Sequence, residues 1–177
     1  MEDFTRLGIL PAQQLEKIKE HLDSIVIQTR PSKSTYIIGN RREIWFEKEV
    51  KLKKDVTILD APHNPLIHKL GQRWFPGNDS CLVLYYSIGS RIDKHRDHTA
   101  TEKKVVQINI GCHVYLTVNG KRNLVKDGEI IEFNSKLLHE TSQALSTRWV
   151  VSWRKIKSQH LANLHHNQLE LFPTLAS

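Results

Sequence analysis

Two histidines and an aspartate stand where they could share one metal ion: His95 and Asp97 in the segment IDKHRDHT, and His139 in LLHET. Residues i and i+2 of an extended strand point to the same face, so His95 and Asp97 can turn an imidazole nitrogen and a carboxylate oxygen towards one point. His139, from a neighbouring strand, would complete two nitrogens and one oxygen on one face of an octahedron. Such a set leaves positions open for other ligands and suits non-haem Fe(II). An HxD pair also recurs by chance, and the chain has ten histidines. His98 would point the other way from Asp97, as a surface residue or one that supports the ligands. His113 is a rival third ligand, although its place in the run HVYLTV fits an ordinary strand residue. His21, His63, His68, His160, His165 and His166 read as structural or solvent-exposed.

Arginines sharpen this reading. Arg148 follows His139 by nine residues and opens the run RWVVSWR, and Arg154 comes six residues later. Positions six apart on a strand share a face, here with Val150 and Ser152 between them. Guanidinium groups bind carboxylates through paired, charge-assisted hydrogen bonds, so the two arginines suit a dicarboxylate cosubstrate such as 2-oxoglutarate. An exposed strand end is the competing reading, more readily for Arg154 than for Arg148.

The elements that must position these groups are mostly strands. From Ser80 to Arg154 short β-favouring runs follow one another: CLVLYY, VVQINI, HVYLTV, RNLV, EIIEF and RWVVSW. Asn119-Gly120 is a two-residue hairpin signal, and Asp127-Gly128 makes a similar turn before Glu129. With short strands around His95 and His139 the count reaches about eight, the number in a jelly-roll barrel. Before this core, Leu15, Ile18, Leu22 and Ile25 recur at helical spacing over Pro11–Ile25. Strands are expected at Tyr36–Ile38 and Glu43–Phe46, a short helix after Pro65 and a turn at Pro76-Gly77-Asn78. The fold expected is a mostly β, double-stranded β-helix (jelly-roll) core with supporting helices. It divides into a mixed region packing on the core and able to serve as a substrate lid (1–79), the catalytic core (80–155) and a tail (156–177), in one domain overall.

Composition narrows the class. Hydrophobic residues make up 39% and charged residues 25% of the 177, as in a globular domain. No apolar run approaches the roughly 20 residues of a membrane span, and MEDFTRLGIL lacks the features of a secretory leader. Cys81 and Cys112 have no CxxC spacing and read as buried thiols of a reducing compartment, which makes the cytoplasm the expected location. The formal charge of +7 invites a polyanion such as nucleic acid, although Arg41-Arg42, Lys51-Lys53-Lys54 and Lys103-Lys104 also fit solvated faces. Two stretches mix cations with aromatics as base-binding surfaces do: NRREIWF, with Arg41, Arg42 and Trp45, and Arg73-Trp74-Phe75. Half-buried strand residues are the competing reading for both.

The segment CLVLYYSIGSRIDKHRD resembles the AlkB-like nucleic-acid demethylases, which carry a tyrosine, a glycine three residues on, then HxD; here these are Tyr86, Gly89, His95 and Asp97. Arg148 to Arg154 matches that family's two arginines six apart. The resemblance covers about Ser80 to Lys155. It implies Fe(II) held by His95, Asp97 and His139, and 2-oxoglutarate contacted by Tyr86, Arg148 and Arg154, with Arg148 on the distal carboxylate. It also implies oxygen as cosubstrate, no catalytic side chain beyond the metal site, and oxidation of a C–H bond coupled to decarboxylation of 2-oxoglutarate to succinate. An N-methyl group so hydroxylated is lost as formaldehyde. Three features depart from the family pattern: Leu84 and Val150 stand where it usually has asparagines, and the loops around His139 are short. Hydroxylases of protein side chains or small molecules share the broader pattern, and a non-catalytic DNA-associated module is a third reading.

Near the end, Gln168-Leu169-Glu170-Leu171-Phe172 resembles the peptide by which bacterial DNA polymerases and repair proteins dock on the sliding clamp. Gln168, Leu169, Leu171 and Phe172 would be its anchors; packing back on the domain is the alternative. With the basic charge, this peptide favours DNA as substrate and a location at the nucleoid.

Overall fold

Alternating apolar and polar residues put nearly half of the described residues into strands. The computed structural model describes residues 2–52 and 56–161. In chain order its elements are β1 (Phe4–Ile9), α1 (Ala12–Ser24), β2 (Arg30–Pro31), β3 (Ile37–Ile38), β4 (Arg41–Phe46), β5 (Lys48–Leu52), β6 (Val56–Asp60) and α2 (Pro65–Trp74). There follow β7 (Ser80–Tyr86), β8 (Arg91–Ile92), β9 (Thr101–Ile110), β10 (Val114–Val118), β11 (Lys121–Val125), β12 (Glu129–Asn134), β13 (His139–Thr141) and β14 (Arg148–Ile156).

From β7 onward the chain winds between two sheets. β7, β9, β12 and β14 lie in a seven-stranded antiparallel sheet of order β1-β12-β9-β14-β7-β4-β2, while β10, β11 and β13 form the order β11-β10-β13. β8 lies beside β13, where the Ile92 amide donates to Thr141 Oγ1 at 3.3 Å. Eight strands alternating in this way are a double-stranded β-helix, the jelly-roll core expected. The Asn119-Gly120 turn has φ of 51° and 78°, the left-handed pair that a tight hairpin between β10 and β11 requires.

The N-terminal region does more than pack on this core. β1, β2 and β4 extend the large sheet on both sides, and β5 pairs with β6 in a separate hairpin. Sequence reading missed β1, β2, β5 and β6, whose short runs lack a clean alternation. The helix over Pro11–Ile25 is present as α1, with Pro11 just outside it in extended geometry. α1 and α2 cover the outer face of the large sheet. There Ile18, Leu22, Ile67 and Leu70 pack with Val83, Val106, Ile108, Val151 and Trp153. Trp149 Nε1 donates to Asp23 Oδ1 at 2.8 Å and Trp153 Nε1 to the Ile67 carbonyl at 3.2 Å, tying each helix to β14. The approach is close: a Cβ on Gly71 would lie 2.6 Å from Trp153 Nε1.

Strict alternation gives the same strands a second face. Leu82, Leu84 and Tyr86 of β7, Arg41, Glu43 and Trp45 of β4, and Arg148, Val150, Ser152 and Arg154 of β14 point away from the helices into a cavity between the sheets.

Candidate active site

His95 and His139 meet through the backbone first. Each amide donates to the other residue's carbonyl, at 3.0 and 2.9 Å, and the Asp97 amide donates to the Ser135 carbonyl at 2.9 Å. This pins the extended segment after β8 against β13, so that the i and i+2 side chains and His139 face one another. His95 Nδ1 lies 2.9 Å from the Asp93 carbonyl and His139 Nδ1 2.9 Å from that of Leu137. A carbonyl can only accept, so each Nδ1 carries the proton and each Nε2 presents a lone pair. Both Nε2 atoms lie 3.6 Å from Asp97 Oδ1.

The second oxygen of Asp97 accepts from Arg154 Nη2 at 3.0 Å, and Arg154 Nη1 donates to Ser152 Oγ at 2.9 Å. Burial works to raise the Asp97 carboxyl, but the Arg154 charge beside it outweighs this and holds the group well below the usual carboxylate range. Tyr36 stacks on His95 with ring centroids 5.3 Å apart, and Phe133 meets His139 edge-on. The donor set, the imidazole tautomers and the ionised carboxylate together fit a divalent ion of the non-haem iron type.

A row of three residues crosses adjacent strands elsewhere in the cavity. Tyr86 on β7 is in register with Arg41 on β4 and with Arg148 on β14. Arg41 Nη1 donates to the Tyr86 hydroxyl at 3.3 Å, and the Arg148 guanidinium lies 4.3 Å from the centre of the Tyr86 ring. Arg148 is only 2% exposed. Its Nε has no hydrogen-bond partner, and among the described residues no carboxylate pairs with it. Desolvation pulls its pKa down, which marks a buried cation lacking its counter-charge. A carboxylate from a small ligand would supply that charge.

The cavity has a volume of ≈ 580 Å³ and holds both groups. Its floor between them is apolar: Leu84 and Val150, the two positions where the AlkB-like pattern has asparagines, are direct cross-strand partners. Trp45, Leu82 and Leu116 continue it, with Arg30, Lys33, Lys51 and Arg96 also on the lining.

Other residues singled out in the sequence fall differently. Arg41 and Trp45 line the cavity, but Arg41 is buried beside Tyr86 instead of lying on an open surface. Arg42 does not reach the cavity, because alternation turns it to the other face of β4, where its Nε donates to Thr29 Oγ1 at 2.8 Å. Trp74 is also elsewhere, on α2 against Gly8 of β1, and contributes to the helix–sheet core. His98 is exposed and its Nδ1 accepts from the Ala100 amide. His113 is exposed and outside the triad. Tyr36 and Glu43, expected only as ordinary strand residues, also line the cavity, since nothing in the local sequence sets them apart. Lys53, Lys54, His165, His166 and the peptide Gln168–Phe172 lie outside the described residues. Among the described residues no helix is long and apolar enough to cross a membrane.

No family model matches the sequence, and no curated protein matches it significantly. Solved structures do match. OsALKBH1 has a TM-score of 0.62 at 13% identity, over 88% of this chain and 97% of its own. A Pseudomonas putida prolyl-4-hydroxylase also has a TM-score of 0.62 at 13% identity, over 89% of this chain and 95% of its own. An oxidoreductase of the 2OG-Fe(II) oxygenase family from Burkholderia pseudomallei follows at 0.56 and 13%, over 86% and 84%. The chain therefore has the jelly-roll fold of these proteins, shared alike with an AlkB homologue and a prolyl hydroxylase.

Proposed function

We propose that the cavity is the active site of an Fe(II)- and 2-oxoglutarate-dependent oxygenase that oxidises nucleic-acid bases, most simply by removing alkyl groups. One observation carries the reading: a single cavity contains a two-histidine, one-carboxylate triad and a buried arginine, Arg148, that has no anionic partner among the described residues. His95, Asp97 and His139 would hold the iron. When bound, it would supply oxidation of a C–H bond coupled to decarboxylation of 2-oxoglutarate to succinate and carbon dioxide.

The chain's own residues bind, orient and shield. Arg148 receives the distal carboxylate of the cosubstrate, with the Tyr86 hydroxyl alongside, and Arg41 keeps that hydroxyl oriented. Arg154 keeps Asp97 ionised and fixes the rotation of its carboxylate, a supporting role alongside any contact of its own with the cosubstrate. Leu82, Leu84 and Val150 keep water from the floor between the two ends. Tyr36, stacked on His95, and Trp45 offer flat surfaces to a planar base, and Lys33, Lys51 and Arg96 offer charge to phosphate.

The test is iron-dependent formation of succinate from 2-oxoglutarate, abolished in His95→Ala. Protein loaded with iron that neither binds nor consumes 2-oxoglutarate would leave only a binding module. Formaldehyde release from methylated single-stranded DNA, duplex DNA or RNA identifies the base substrate. A second reading, hydroxylation of a protein side chain or small molecule, is favoured by the apolar Leu84–Val150 pair; hydroxylated product without formaldehyde would select it.

A further inference from the structure

A second group of metal-binding side chains lies outside the cavity, where β4 turns into β5 beside the start of α2. Glu47 sits at this corner with φ of 65°, a left-handed conformation that a glutamate rarely adopts. Two backbone bonds hold it: its amide donates to the Pro62 carbonyl at 3.1 Å, and its carbonyl accepts from the Ala61 amide at 3.0 Å. They bring the corner against the segment that leads into His63. Asn64 then caps α2, its Oδ1 accepting from the Ile67 amide at 3.2 Å, and its carbonyl accepts from the His68 amide at 2.8 Å. Glu47, sixteen residues before His63, is thereby set around one point with His63 and His68.

Their donor atoms converge closely. Glu47 Oε1 lies 2.7 Å from His63 Nδ1 and 3.3 Å from His68 Nδ1, and the two rings are 5.0 Å apart. All three donors lie within 4.8 Å of one another. A tetrahedral zinc ion, with metal–ligand bonds near 2.0–2.1 Å, spaces neighbouring donors about 3.3 Å apart. The Glu47–His68 contact already has that spacing, and the Glu47–His63 contact at 2.7 Å needs to open by about 0.6 Å. His68 Nδ1 is closed off from solvent yet makes no hydrogen bond among the described residues, which leaves it available to an ion. The side chains of His63 and His68 are 54% and 41% exposed, leaving a path for an ion to enter the folded protein.

We propose that Glu47, His63 and His68 form a second metal site, for a divalent first-row ion of the zinc class. Two imidazoles and a carboxylate suit such an ion, and three protein ligands leave one position for water. The ion would clasp the β4–β5 corner to the first turn of α2. The site is independent of the chemistry assigned to the cavity.

Zinc titration of the metal-free full-length chain by calorimetry tests it, in a His95→Ala background that removes the cavity triad. His95→Ala protein should bind zinc at this site and melt at a higher temperature with zinc than without. Adding His63→Ala together with His68→Ala should remove one equivalent of zinc and the thermal shift. Adding Glu47→Gln instead should weaken that equivalent, and cobalt(II) should show a visible d–d band lost in both variants. If the histidine variants bind as much zinc as their parent, or if Glu47→Gln leaves affinity and spectrum unchanged, the site is wrong. The group is then a hydrogen-bonded carboxylate between two imidazoles.

Discussion

The two faces of β14 make the instructive contrast. On one face Trp149, Val151 and Trp153 are buried against the helices; on the other Arg148, Val150, Ser152 and Arg154 look into the cavity. Both faces are almost closed to solvent, yet they obey different physics. On the helix side both indole N–H groups of β14, those of Trp149 and Trp153, have partners within the chain. The cavity side is left incomplete at Arg148, whose charge is buried without an anion among the described residues. One face stabilises the strand, and the other spends part of that stability on a site ready for a ligand.

The contrast can be broken most strongly from the helix side. Trp153→Ala should cost about 3–5 kcal/mol, because a large buried side chain leaves a cavity that neighbours only partly fill. Urea denaturation measures this, and a loss below about 1 kcal/mol would show that the helices do not depend on β14.

From the cavity side the sign should reverse. Arg148→Leu removes an uncompensated buried cation, so the ligand-free protein should be as stable as the parent or more so. The same variant should lose 2-oxoglutarate affinity by on the order of 100-fold, the value of a charge-assisted pair of roughly 2–3 kcal/mol. Melting curves with and without 2-oxoglutarate read both effects, and a parent-like ligand-induced shift in the variant would refute the assignment of Arg148.

Arg154 sharpens the comparison through pH. Asp97 has a depressed folded-state pKa, so its stabilisation is present above the unfolded value of about 3.9 and is lost as pH falls towards the folded one. Arg154→Gln removes the charge that opposes burial, so the Asp97 carboxyl should rise and acid unfolding should begin at higher pH. The accompanying loss at neutral pH should be about 3 kcal/mol, as for a buried pair broken on one side. Circular dichroism across an acid series checks this; an unchanged acid midpoint would mean that His95 and His139 suffice to hold Asp97 ionised.

The smallest effect on the fold is expected from Phe172→Ala. It should leave melting temperature and cosubstrate turnover unchanged while removing binding to a bacterial sliding clamp, and unaltered binding in a pull-down would reject that docking mode.

Much of the site follows from short-range spacing. His95 and Asp97 share a side because they are two apart on extended chain, and Arg148 and Arg154 because they are six apart on one strand. The Asn119-Gly120 turn and the apolar runs of β7, β9, β10, β12 and β14 were legible for the same reason: local conformation and period carry them. Period alone did not reveal β1, β2, β5 and β6, whose pairing partners supply what their own sequence lacks. Nor could it say which of Arg41 and Arg42 faces inward, since the answer depends on the register of β4 against β7. Trp74 looked like a base-stacking residue beside Arg73 until α2 placed it against Gly8.

What the sequence determined by itself is therefore the set of candidate ligands and cations, and the strand alternation that keeps them on one side. Tertiary structure decided which of them meet. The backbone pair between His95 and His139, the Arg41–Tyr86–Arg148 row, the unpaired charge at Arg148 and the convergence of Glu47, His63 and His68 all depend on segments distant in the chain. Such contacts are set by strand register and helix packing, which no local pattern encodes.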